Sequence, residues 1–287
     1  MTDKGTLFIV GTPIGNLADV SQRSSDVLSE VSRIAAEDTR RTGILLKHLG
    51  IDKPLMSFHE HNKSSRSVQI IRMLLEGADI ALVSDAGMPC ISDPGYELVA
   101  LCYESRINVT VVPGPCAAIA ALAGSGFEGS RFTFEGFLPV KGRERKIRID
   151  SMIRNEITSV IYEAPHRLIK TLSDIRDAGR GERSICVARE LTKKYEEFWK
   201  GSVDEAIDRF SSVVPKGEFV IIIEGYKEEH AGFDDDTEYI SDRICRMFSE
   251  GASAKDIVIK LSAETGMKRN ELYKMINKTK NSNFDQI

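Results

Sequence analysis

The chain lacks any run of about 18 apolar residues, so no membrane-spanning helix is expected. Its five cysteines, Cys90, Cys102, Cys116, Cys186 and Cys245, are odd in number and show no close metal-ligand spacing, which argues against a disulfide framework or a zinc module. The Walker pattern G-x-x-x-x-G-K-[ST] does not occur, which disfavours a phosphate-driven nucleotide site. Basic charge is not in excess: 39 Lys and Arg face 43 Asp and Glu, a net of -4. Any contact with nucleic acid must therefore come from a local patch. No charged-then-apolar leader opens the sequence, and no repeat or low-complexity block interrupts it. A cytoplasmic, soluble protein of 287 residues is expected, long enough for two compact domains.

What is present is an alternation of strands and helices. "TLFIV", "RIAAE", "DIALVS" and "NVTVVPG" are β-rich, and helical stretches such as "SDVLSEVS" and "PGYELVALCYES" separate them. The helix "SVQIIRMLLEG" is expected to turn Val68, Ile71 and Leu75 to one face and to stop at Gly77. This order predicts an α/β domain over 1–115 with a mainly parallel sheet. A second α/β domain with a mixed sheet is expected over 116–226, followed by a polar, acidic linker over 227–237. Residues 238–287 read as three helices divided at Gly251 and Gly266, with Ser253 and Asp256 starting the middle one. Their spacing resembles a helix-turn-helix, but nine Lys and Arg against seven Asp and Glu are too few to prove nucleic-acid binding.

Three Gly/Pro-rich loops follow three of the parallel strands: "GTPIGN" (11–16), "SDAGMPCISDPG" (84–95) and "PGPCAA" (113–118). Ligands of open α/β sheets bind beyond the carboxyl ends of the strands, where these loops meet. Loops rich in aspartate suit a ligand with positive charge, an ammonium or a sulfonium. Asp85 reads either as a cleft group or as a turn-forming residue. Asp93, ahead of Pro94, reads as the N-cap of the next helix.

Together "LFIVGTPIGNLADVSQRS", "AAEDTRRTGILLKHLGI", "SFHEHN", "ALVSDAGMPCISDPGYELV", "VVPGPCAAIAAL", "FEGFLP", "YEAPHRL" and "ARELTKKYEEFWKG" run in order over residues 7 to 201. They resemble the ribosomal RNA small subunit methyltransferase I family of the tetrapyrrole-methylase superfamily, and "GEFVIIIEG" extends the match to residue 225. The resemblance implies two α/β domains with S-adenosyl-methionine in the cleft between them. It further implies a homodimer that methylates the ribose 2′-hydroxyl of cytidine 1402 in the decoding region of 16S rRNA. Carried over by position, it sets Pro13, Ser84, Asp85, Ala86, Gly87, Pro113 and Ala117 beside the cofactor, with Tyr162 and Ala188 on the second domain's side. Ser-Asp-Ala-Gly at 84–87 departs from the Gly-Asp-Pro-type loop of the cobalamin-pathway enzymes and favours the rRNA branch.

Candidates for a general base are Asp85, Glu60 and His59. On an extended chain His59 and His61 would share a face opposite Glu60, but a third and fourth metal ligand are missing, so no metal is expected. For RNA, Arg40, His166, Arg167 and the run Lys141, Arg143, Arg145, Lys146 and Arg148 are either phosphate contacts or solvated and internal charges. "FEGFLP" supplies aromatics for a base or for the core; the core reading is the favoured one for Phe132 and Phe134. Two rivals stand beside the rRNA methylase: a tetrapyrrole (precorrin) C-methyltransferase, and a non-catalytic ribosome-assembly or RNA-binding factor.

Overall fold

The computed structural model describes residues 4–212, 215–226, 235–249, 251–265 and 267–284, and every structural count refers to those residues. Residues 1–226 form one compact unit and residues 227–287 a second.

In the first unit, strands β1 (Thr6–Val10), β2 (Arg33–Ala36), β3 (Leu55–Ser57), β4 (Ile80–Val83) and β5 (Asn108–Val112) make a wholly parallel sheet in the order β3-β2-β4-β1-β5. Alternation along the strands assigns the two faces. Leu7, Ile9, Ile80 and Leu82 enter one buried cluster with Ile70 and Leu74, and Val10, Ala81 and Val83 enter another with Leu28 and Leu46. Both faces are thus covered, which is why all four residues of β4 are apolar and buried. The covering helices are α1 (Gln22–Glu30), α2 (Thr39–Leu49), α3 (Lys63–Leu75) and α4 (Tyr96–Glu104). In α3 the buried stripe is Ser67, Ile70 and Leu74, whereas Val68 and Leu75 face solvent. The expected face was one position out of phase, because a run as dense as "VQIIRMLL" allows two registers of the same period.

Helix α5 (Ala117–Ser125) leads from β5 to a second five-stranded sheet, ordered β6-β7-β10-β8-β9. Its strands are β6 (Phe132–Phe137), β7 (Thr158–Glu163), β8 (Ser184–Arg189), β9 (Glu197–Ser202) and β10 (Phe219–Ile223). Only the β6–β7 pair is parallel, so the sheet is mixed. One face packs on α6 (Arg143–Arg154), α7 (Leu168–Ile175) and α8 (Val203–Ser211) through Ile161, Ile221, Leu172 and Phe210. The other face meets α5 and Ile14 through Val160, Ala188 and Ile222.

In the second unit α9 (Asp235–Ser249), α10 (Ala254–Thr265) and α11 (Arg269–Phe284) share a small core of Ile240, Ile244, Ile257, Leu261, Leu272 and Ile276. The Ser253 hydroxyl accepts the Asp256 amide at 3.2 Å and starts α10. The linker expected over 227–237 lies outside the described residues up to 234, and Gly266, the expected turn, lies outside them too. No described helix is long and apolar enough to cross a membrane.

Candidate functional site

The carboxyl ends of β1, β4 and β5 bring the three Gly/Pro-rich loops into direct contact. Thr12 and Gly87 exchange both backbone hydrogen bonds, at 2.9 and 3.1 Å. The Thr12 hydroxyl donates to the Ser84 carbonyl at 3.3 Å. Gly11 and Gly114 touch backbone to backbone: a Cβ on Gly11 would lie 2.6 Å from the Gly114 nitrogen and 2.7 Å from the Met88 sulfur. No side chain fits there, so the loops close into one continuous wall.

Opposite this wall stands the face of the second sheet that meets α5, and between them lies a cleft of about 430 Å³. Such a volume suits a small organic ligand. The first sheet lines it with Ile14, Glu37, Arg41, Asp85, Ala86, Gly87, Asp93 and Ala117, and the second with Phe137, Tyr162, Glu163, Leu191 and Val220. The Tyr162 hydroxyl accepts the Ala118 amide at 3.2 Å, tying β7 to the start of α5. Leu191 sits between Glu190 and Thr192, whose φ values of 51° and 65° are left-handed and strained for residues with side chains. A smaller cavity of about 210 Å³ adjoins the cleft, shares Arg41 and Asp85 with it, and is lined by Pro13 and Ser84.

Three carboxylates, Glu37, Asp85 and Asp93, stand on the first sheet's side of the cleft. Asp85 accepts the Asp38 amide at 2.8 Å and faces Arg41 at 3.5 Å. Burial pushes the Glu37 carboxyl above its usual range, and the charges of Asp93 and Asp85 push it further. Asp93 is raised by burial and by Asp85, against a lowering hydrogen bond with Ser84. Two half-buried acids held partly against their ionisation make a site that gains from a cation. A sulfonium joined to a flat, uncharged ring fits this set, and the glycine backbones of the loops leave room for its approach.

The same carboxyls carry a pH signature. Both raised groups bind more protons in the folded than in the unfolded chain over the window between their unfolded and folded values. Stability is full below that window and falls as pH rises through it. Glu37→Gln is therefore expected to raise the melting temperature at pH 7 and to flatten its decline above pH 4. Thermal melts of both proteins from pH 4 to 8 check this; parallel curves would contradict it.

Among the residues expected at the site, Asp85, Ala86, Gly87, Ala117 and Tyr162 share the cleft, with Pro13 and Ser84 in the adjoining cavity. Pro113 is exposed, and from its segment Cys116 and Ala117 line the cleft instead. Ala188 is fully buried beside Val220, its partner across the β8–β10 ladder, and is not among the residues that line the cleft. Asp93 is not a helix cap: α4 starts two residues after Pro94, with Gly95 at φ 144° in the N-cap, and Asp93 turns into the cleft.

His59 and Glu60 line neither cavity. Residues 60–62 form a turn rather than an extended piece. Asn62 accepts the His59 amide at 2.9 Å, and Glu60 pairs with Lys63 at 2.8 Å. Of the basic candidates, Arg145 is buried and fully engaged, with Asp174 at 2.7 Å, the Pro139 carbonyl at 3.0 Å and Thr171 at 2.8 Å. Arg167 donates to the Leu138 carbonyl at 2.6 Å and pairs with the buried Glu163. Neither is available to a phosphate. Arg148 is held by Glu135, and the exposed Arg40 by Asp38. Lys141, Arg143, Lys146 and His166 remain on the surface.

Residues 6–207 match the family described as Tetrapyrrole (Corrin/Porphyrin) Methylases. Proteins named ribosomal RNA small subunit methyltransferase I are similar over most of the chain. The one from Synechocystis is 45% identical over 94% of this chain and 97% of its own length. The one from Thermotoga maritima is 49% identical over 77% of this chain and 99% of its own. Among solved structures, uroporphyrin-III C-methyltransferase of Thermus thermophilus in complex with S-adenosyl-homocysteine superposes with a TM-score of 0.56. It covers 77% of this chain and 97% of its own at 15% identity, a likeness of fold. Identity at this level over nearly the whole length, on a fold whose loops meet at one cleft, decides the assignment. The chain belongs to the tetrapyrrole methylase family, within its ribosomal RNA small subunit methyltransferase I group, and is a methyltransferase whose methyl donor is S-adenosyl-methionine.

Proposed function

We propose that this chain methylates 16S rRNA in the small ribosomal subunit, on the ribose 2′-hydroxyl of cytidine 1402 in the decoding region. The observation that carries the proposal is the 45% identity to the Synechocystis protein over 94% of this chain, since that protein is named for small-subunit rRNA methylation. The cleft agrees with it. The Gly11, Gly87 and Gly114 backbones and Ala117 would hold the methyl donor, with Tyr162 on the facing wall. Bound there, the donor supplies an electrophilic methyl carbon on a sulfonium.

The chain's own part is alignment in a site shielded from water, and orientation of this kind is worth roughly 7–11 kcal/mol of barrier. A ribose hydroxyl also has to shed its proton. Glu37 stands on the cleft wall with its proton affinity raised, which makes it a better base than an ordinary carboxylate, and a positioned base adds roughly 10²–10⁴-fold. Arg41, 65% exposed on its side chain and shared by both cavities, is placed to meet a phosphate at the mouth. The same reading makes the protein cytoplasmic and homodimeric.

Nucleoside analysis of small subunits from cells with and without this chain tests the proposal. One 2′-O-methylated cytidine per 16S rRNA should vanish with the gene and return with it. Loss of a base-methylated nucleoside instead, or of none, would overturn it.

A further inference from the structure

The sixth strand breaks its own alternation. Between Phe134 and Gly136 the β6–β7 register shifts by one, so that Phe132, Phe134 and Phe137 face Thr158, Val160 and Tyr162. Glu135 is the extra residue. Gly136 takes φ 59°, a left-handed value that favours glycine, and completes the bulge. Without the bulge Phe137 would point to the face covered by α6 and α7. With it, Phe137 joins Phe134 and Tyr162 on the cleft side.

The three aromatic rings there have different fates. Phe134 packs edge-on against Tyr162 with centroids 5.0 Å apart and is partly buried in the core. Phe137 leans on the same Tyr162 ring at 5.6 Å but stays 53% exposed, at the mouth of the cleft. Across that mouth, on the loop after β4, stands Ile91, also in the lining and 57% exposed. The two walls come close here, since a Cβ on Gly136 would lie 3.9 Å from the Ser92 hydroxyl. A held aromatic face opposite an aliphatic one, above the carboxylates, is a slot for a flat, uncharged ring.

We infer that Phe137 is the platform on which the base of the target nucleotide stacks when its ribose enters the cleft. The inference deepens the rRNA reading and rests on it: the ring is a pyrimidine, taken out of its own stack so that its sugar can reach the methyl donor. Stacking of a base on an aromatic side chain is sequence-tolerant and contributes affinity rather than chemistry. Phe137 is therefore a positioning residue.

The test uses the full chain with Phe137→Ala, Phe137→Leu and Phe137→Trp. Calorimetric affinity for S-adenosyl-homocysteine should be unchanged in all three. The Michaelis constant for small subunits should rise roughly 10- to 100-fold in Phe137→Ala and in Phe137→Leu, while Phe137→Trp keeps it near wild type. The indole of Phe137→Trp should also lose fluorescence when subunits are added, whether or not methyl transfer follows. Equal Michaelis constants for Phe137→Ala and wild type would overturn the inference. So would full activity in Phe137→Leu, which would make the site an apolar filler, or lost cofactor affinity in Phe137→Ala. Failure of the wild-type protein to methylate any subunit would instead overturn the rRNA reading, and the fluorescence change would still report whether a base stacks there.

Discussion

Gly11→Ala is expected to lower affinity for S-adenosyl-homocysteine, and methyl transfer with it, by roughly 100-fold while the chain still folds. The added Cβ would sit 2.6 Å from both the nitrogen and the Cα of Gly114, so backbone must move. Ordinary contact needs about 3.4 Å or more; the β1 and β5 loops must therefore part by the better part of an ångström. A displacement of about 1 Å at an aligned site costs on the order of 10²-fold in rate, and overpacking costs about 1–3 kcal/mol of stability. Gly43→Ala is the matching control. It lies in α2, where a Cβ meets nothing within 4 Å, so the change should stabilise slightly and leave binding alone. Calorimetric titration of both variants decides the matter. Wild-type affinity in Gly11→Ala would mean that these loops do not hold the methyl donor.

The largest loss of stability is expected from Glu163→Ala. The Glu163 side chain is wholly buried at the end of β7. It accepts the Thr171 hydroxyl at 2.5 Å and the Ala164 amide at 2.8 Å, and it pairs with Arg167 at 3.3 Å. Thr171 in turn accepts from Arg145, which holds Asp174, so one carboxylate anchors a chain of buried polar groups. Removing it leaves Arg167 without its buried counter-charge and Thr171 without an acceptor. Breaking a buried pair on one side costs about 3–5 kcal/mol. At about 2–4 °C per kcal/mol for a unit of this size, the melting temperature should fall by roughly 10 °C. Glu163→Gln, which keeps an acceptor for Thr171, should recover part of that. A fall of only a degree or two in Glu163→Ala would show that the network contributes little.

Much of this molecule was legible before its coordinates. The apolar tetrad at 80–83 announces a strand covered on both faces, and the alternation of strands and helices around it announces a parallel sheet. The loops after β1, β4 and β5 announce the cleft, because their glycines serve no regular element. What stayed hidden depends on contacts distant in sequence. Arg145 and Arg148 sit within two positions of the surface residues Arg143 and Lys146, yet Asp174 holds the first inside and Glu135 pairs with the second. No local pattern separates such an arginine from a free one. Asp93 read as a cap because Pro94 follows it, but the chain needs two more residues to turn past Cys90 before α4 begins. Phe137 had a signal of its own. A glycine inside a strand marks a bulge, and the residue after a bulge changes face.

Methyl transfer from labelled S-adenosyl-methionine by the purified protein, with nucleotide mapping of the product, tests the central claim most directly. The acceptors are small subunits from cells lacking the chain, wild-type subunits and naked 16S rRNA. The account predicts label on a single cytidine ribose of the deficient subunits, with wild-type subunits already filled. Label on a base, or calorimetric binding of the methyl donor with no transfer to any of the three acceptors, would contradict it.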